Sequence, residues 1–74
     1  MNSVAENTKA IMNEKGLKHK SVAEKAGYSV QQFSNMLNGR KNILDIDVWR
    51  IACALGVLPK ELFGIKTSEN EKGG

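Results

Sequence analysis

Five glycines, at positions 16, 27, 39, 56 and 64, divide the chain up to residue 64 into short segments. Each closes a stretch whose apolar residues recur at helical spacing, the place where a helix commonly ends on a left-handed residue. The first helix is expected from about Ser3 to Lys15. Ser3-Val4-Ala5-Glu6 has the form of a capping box, and Val4, Thr8, Ile11 and Met12 share a face. The second covers about His19 to Ala26, with Val22, Ala23 and Ala26 turned inward and Lys18, a poor capping residue, at its N-cap. A third starts at Ser29, where Ser29-Val30-Gln31-Gln32 is another capping box and Phe33, Met36 and Leu37 form the apolar stripe. The fourth begins near Asp45 and places Val48, Ile51, Ala52 and Leu55 at i, i+3, i+4 and i+7. The fifth is one short turn, with Pro59 at its first position and Leu62 and Phe63 closing the core. Strand alternation and internal repeats are absent from the sequence. The reading is all-α: residues 1–65 form one compact five-helix domain and residues 66–74 a disordered polar tail.

The chain has 74 residues, which allows one small domain and leaves no space for a second lobe. The longest uncharged apolar run, Ile51 to Pro59, falls far short of the roughly 20 residues needed to span a bilayer, so no membrane association is expected. The first ten residues are polar and carry Glu6 and Lys9, unlike a secretory signal. A single cysteine excludes an internal disulfide and a cysteine-based zinc site, and together these features predict a cytoplasmic protein. Cys53 follows the core residue Ala52 and reads as a half-buried structural thiol. Trp49 stands one step off the fourth helix's stripe, where it is expected to complete the core edge rather than a dimer contact.

Charge is unevenly placed. Between Lys15 and Lys41 the basic residues are Lys15, Lys18, Lys20, Lys25, Arg40 and Lys41, and the sole acid is Glu24. From position 42 onward acids and bases nearly balance. A positive centre with a near-neutral remainder suits a polyanion-binding face. The same segment holds the requirements of a helix-turn-helix: a small residue, Ala23, where two helices must cross closely, and Gly27 four positions on, where the turn needs positive φ. Val22, Ala26 and Tyr28 fall where apolar packing flanks such a turn, and Phe33 and Met36 where the second helix meets the first.

Ser21 to Gly27, then Gln31-Gln32-Phe33, then Leu37 to Lys41, with Ile51 to Val57 and Glu61-Leu62-Phe63, resemble the Cro/cI-type (Xre-type) helix-turn-helix proteins. The resemblance runs over about residues 4 to 64. It implies a lambda-repressor-like five-helix domain with the motif on helices 2 and 3. By that pattern helix 3 reads the major groove of double-stranded DNA, and a homodimer binds a near-palindromic operator. Its outward positions, Val30, Gln31, Ser34 and Asn35, would contact bases. Gln and Asn can bond adenine bidentately, and a valine suits a thymine methyl. Lys18, His19, Lys20, Ser29, Gln32, Asn38, Arg40 and Lys41 would hold the phosphate backbone, and Val57, Leu58 and Pro59 would form the dimer contact.

The sequence departs from the family in three places. Lys18 stands where helix 2 usually begins with Thr or Ser. Met12 and Leu37 occupy the positions of a common buried Arg–Glu pair, and an apolar pair can replace such an ion pair without loss of stability. Residues 42 to 46 lack the usual Pro-Ser start of helix 4.

Enzyme chemistry is not expected. His19 and Cys53, the only residues of their types, lie 34 positions apart with no metal-ligand spacing, and no glycine-rich phosphate loop follows a strand. Neither metal, cofactor nor small-molecule ligand is anticipated. The expected function is sequence-specific DNA binding by a transcriptional regulator, such as a Cro-like repressor. The alternative is a DNA-binding antitoxin or another protein-binding helix-turn-helix module, which the short polar tail after Gly64 disfavours.

Overall fold

The computed structural model describes residues 4–64, and within them five helices follow in order: α1 Val4–Lys15, α2 His19–Ala26, α3 Val30–Leu37, α4 Asp45–Leu55 and α5 Pro59–Leu62. Ser3 and the tail from 66 onward lie outside the described residues, so the cap proposed for α1 and the tail lie there too.

The helix ends follow local chemistry. At the start of α3, Ser29 Oγ accepts from the Gln32 amide at 3.0 Å while the Ser29 amide donates to Gln32 Oε1 at 2.9 Å, a complete capping box. Lys18 precedes α2 in extended geometry and gives no side-chain cap. At the other end of α2, Gly27 adopts φ +89°, which only glycine takes without strain. The Gly27 amide donates to the Glu24 carbonyl at 3.1 Å and the Tyr28 amide to the Ala23 carbonyl at 2.8 Å, a Schellman closure. Only three residues then separate the last residue of α2 from the first of α3. Helix α4 starts without the Pro-Ser pair because Asp47 replaces it: Asp47 Oδ2 accepts from the Leu44 amide at 2.9 Å. Helix α5 begins with Pro59, and Glu61 Oε2 accepts from the Leu58 amide at 3.2 Å.

The five helices enclose one core. Phe33, Ile51 and Leu62 are fully buried at its centre, with Val22 and Ala23 from α2 and Val48, Ala52 and Leu55 from α4 around them. Met12 and Leu37, the two departures from the common ion pair, are both buried in this same cluster. Helix α2 packs against α3 and α4, and α1 closes the other side against α3, α4 and α5. Asn7 Nδ2 on α1 donates to the Leu62 carbonyl at 2.8 Å and so satisfies a free carbonyl at the end of α5.

Three expectations are corrected. Trp49 is 59% exposed and Phe63 53% exposed, so neither completes the core. The core at that end is filled by Leu62, Val48 and Ile51, and the one-step offset of Trp49 and of Phe63 from those positions turns both rings outward. Cys53 is exposed for the same reason, being one step beyond buried Ala52.

Candidate nucleic-acid interface

Because Phe33, Met36 and Leu37 fix one side of α3 into the core, the opposite side is set by helical geometry. That side carries Val30, which is 45% exposed, exposed Gln31, and half-buried Ser34 and Asn35. Two polar pairs run along it at i, i+4. Gln31 Nε2 donates to Asn35 Oδ1 at 3.1 Å, and Asn38 Nδ2 donates to Ser34 Oγ at 3.3 Å. The first pair orients both amides: Gln31 keeps its Oε1 acceptor and one N–H, while Asn35 keeps both Nδ2 donors.

Basic groups lie at both ends of this surface. Past α3 the chain folds back over the helix end, and the Arg40 and Lys41 amides both donate to the Asn35 carbonyl, at 2.9 and 3.2 Å. The side chains of Asn38, Arg40 and Lys41 are exposed there. At the N-terminus of α2, Lys18, His19 and Lys20 are likewise exposed. The His19 ring meets the Phe33 ring edge-on, with centroids 5.9 Å apart, which sets the start of α2 against α3. Ser29 and Gln32 spend one side-chain oxygen each in the capping box, and both remain exposed.

One element was not anticipated from the sequence. Tyr28, in the turn between α2 and α3, donates its hydroxyl to Asp47 Oδ1 at 2.5 Å, and the Arg50 guanidinium lies 5.8 Å from the centre of its ring. Asp47 is 93% buried and binds the Leu44 amide with its other oxygen, so one carboxylate both caps α4 and anchors the turn before α3. Burial of the Asp47 carboxyl pushes its pKa up, but the Tyr28 hydroxyl, the Leu44 amide and the charges of Lys41 and Arg50 outweigh it and hold the carboxyl below its ordinary value. Desolvation, with the Asp47 hydrogen bond and charge behind it, raises the Tyr28 phenol to about 12, and Arg50 offsets only part of this. The sequence did carry a signal: Asp47 stands three residues after Leu44, the position of the acid in a capping box.

Of the residues expected at a dimer contact, Leu58 is exposed, while Val57 is half-buried against the core. Pro59 lines an open groove with Asp45, Val48, Trp49 and Phe63. Among the described residues no helix is long and apolar enough to cross a membrane.

A helix-turn-helix family model matches residues 9–62, which takes in α2, the turn at Gly27, α3 and α4. An uncharacterized HTH-type transcriptional regulator, y4dJ, of Sinorhizobium fredii is 37% identical over 59 residues, covering 80% of this chain and 77% of the relative.

Proposed function

The chain belongs to the Cro/cI-type helix-turn-helix family, and on that premise we propose that it is a sequence-specific transcriptional regulator that inserts α3 into the major groove of double-stranded DNA. The observation that carries this reading is the outer side of α3. It presents Val30, Gln31, Ser34 and Asn35 with basic side chains at both margins, and the core fixes which side faces out. A hydrogen-bonding surface flanked by cations matches a duplex groove flanked by phosphates. Phosphate contacts fall to Lys18, His19, Lys20, Asn38, Arg40 and Lys41, with Ser29 and Gln32 at the helix start.

The Gln31–Asn35 bond refines the base assignment. Gln31, with an acceptor and a donor still available, fits adenine, which needs both. Asn35, with its Nδ2 donors still available, fits the acceptors of guanine (O6 and N7) or thymine O4. Two copies are needed to read both halves of a near-palindrome, so the regulator binds as a dimer. We read its mode of action as that of a Cro-like repressor, in which α3 bound in the groove occludes a promoter.

Binding of Gln31→Ala and Lys41→Ala to a selected operator and to random DNA, over a range of salt, tests the assignment. Gln31→Ala should lose about 1–3 kcal/mol on the operator and little on random DNA. Lys41→Ala should weaken both and make the slope of log affinity against log salt shallower by roughly one unit per subunit. Equal weakening of both DNAs by Gln31→Ala would refute the orientation of α3 in the groove.

A further inference from the structure

The N-cap and first turn of α3, residues 29–32, include Val30 and Gln31, yet none of these four side chains is buried. The inward stripe begins at Phe33 and continues through Met36 and Leu37, so the core holds the middle and end of α3 and takes no side chain from its start. The Ser29–Gln32 capping box sets the shape of this turn but is internal to it. Two ties place the turn on the rest of the domain, and both run through Tyr28. Its amide donates to the Ala23 carbonyl of α2, and its hydroxyl donates to Asp47 Oδ1 of α4 at 2.5 Å. The Arg50 guanidinium, also from α4, lies 5.8 Å from the centre of the same ring. Asp47 is a firm anchor because it is buried and its other oxygen caps α4 at the Leu44 amide. Around it α4 is fixed in the core by Val48, Ile51, Ala52 and Leu55.

We propose that Tyr28, acting through Asp47, is a positioning residue for base reading: it sets where the first turn of α3 stands and so where Val30 and Gln31 meet the DNA. The inference rests on the regulator reading and adds to it a residue that touches no base. Val30 follows Tyr28 by two positions and Gln31 by three, with no buried side chain between. A shift of the turn therefore passes undamped to both. A bidentate contact tolerates misplacement of only about 0.5 Å. Ser34 and Asn35 differ, because Phe33 and Met36 on either side of them are buried. Loss of the Tyr28 hydroxyl should thus blur recognition at the bases met by Val30 and Gln31 and spare the base met by Asn35. Phosphate contacts are less exacting, since they carry no sequence information. The same substitution should leave non-specific binding as it was.

The experiment compares the native chain, Tyr28→Phe, Asp47→Ala and Asn7→Ala. Binding is measured to a selected operator, to its single-base variants and to random duplex DNA, at a temperature where circular dichroism shows each protein folded. Asn7→Ala removes the hydrogen bond to the Leu62 carbonyl, far from α3, and serves as a control for lost stability alone. Tyr28→Phe should lower the ratio of operator to random affinity about fivefold to tenfold, the lower end of what one lost bidentate contact costs. The loss should concentrate at the base pairs assigned to Val30 and Gln31, with the salt slope unchanged. Asp47→Ala should reproduce this pattern, and adding Tyr28→Phe to it should change the ratio by less than about twofold. Tyr28→Phe decides the matter without it, because that variant keeps both the ring and the α4 cap. Asn7→Ala should leave the ratio as in the native chain. In the absence of DNA, hydrogen exchange at the Gln32 and Phe33 amides, which close the first turn on Ser29, should speed up in Tyr28→Phe more than exchange in α4. An operator preference that Tyr28→Phe leaves intact, or lowers no more than Asn7→Ala does, would overturn the proposal and spare the regulator reading. Unchanged exchange at Gln32 and Phe33 would overturn it whatever the DNA result. Faster exchange there in a chain that prefers no DNA sequence would uphold the anchor and remove the regulator reading, and with it the role in base recognition.

Discussion

Replacing Tyr28 by phenylalanine removes one oxygen atom and leaves the ring under Arg50 unchanged in shape. Asp47, 93% buried, then loses the donor on Oδ1 while keeping the Leu44 amide on Oδ2. A hydrogen bond from a neutral donor to an ionised acceptor contributes about 1.5–3 kcal/mol. The Tyr28 hydroxyl is only part-buried and water can partly replace it, so the lower figure applies, about 1.5 kcal/mol near pH 7. For a domain of this size that is a fall in Tm of roughly 6–12 °C. The loss depends on pH with a definite sign. The folded-state pKa of Asp47 is depressed, so its contribution is fully present above the unfolded value of about 3.9 and disappears as pH falls through the folded value. Urea unfolding of the native chain and of Tyr28→Phe, followed by circular dichroism near pH 7 and in acid below the Asp47 titration, measures both. The difference between the two proteins should shrink in acid. A difference of the same size at both pH values would refute the charged hydrogen bond as its source, and no difference near pH 7 would refute the role of Asp47 as an anchor.

Three further outcomes follow from the same structure. Tyr28 is the sole tyrosine, so phenolate absorbance should titrate near 12 in the folded chain; because that pKa is raised above about 10, the associated stability is present below 10 and is lost as pH climbs through 12. A phenol titrating at its ordinary value would remove the Asp47 contact. Leu37→Glu places a carboxylate inside the cluster that contains Met12 and should destabilise by about 2–4 kcal/mol, read by urea midpoint; a change within 0.5 kcal/mol, about that of a surface substitution, would contradict the burial. Thr8 is fully buried on α1 and its Oγ1 has no hydrogen-bond partner, so Thr8→Val should leave stability unchanged or raise it by up to about 1 kcal/mol, and a loss above that by thermal melting would indicate a partner for the hydroxyl.

Much of the fold could be read in the sequence because its signals are local. Gly27 and the Ser29–Gln32 capping box fix the ends of α2 and α3, and both act within a few residues. The α4 stripe of Val48, Ile51, Ala52 and Leu55 is buried as its periodicity requires. What escaped was nonlocal or marginal. Tyr28 and Asp47 lie 19 positions apart, and only the packing of the turn on α4 brings hydroxyl and carboxylate together. Trp49, Phe63 and Cys53 each sit one step from a buried residue, at the border of the apolar sector, where hydrophobicity alone favours burial. In a domain this small the core is already full, and the extra apolar residues remain at the surface. The outer side of α3 was legible by subtraction, since fixing Phe33, Met36 and Leu37 inward leaves Val30 and Gln31 exposed and Asn35 half-buried. The Gln31–Asn35 bond, which distinguishes the donors and acceptors the two amides leave available, became visible only in three dimensions.

Selection of bound sites from a pool of random duplex DNA, followed by footprinting of the winner, tests the central claim most directly. The predicted result is a near-palindrome whose half-sites lie about one helical turn apart, roughly 10–10.5 base pairs, protected on both halves. Each half-site should carry an adenine opposite Gln31 and an acceptor-rich base edge opposite Asn35. Enrichment of no sequence over the starting pool, with no binding even at low salt, would contradict the claim that α3 reads DNA.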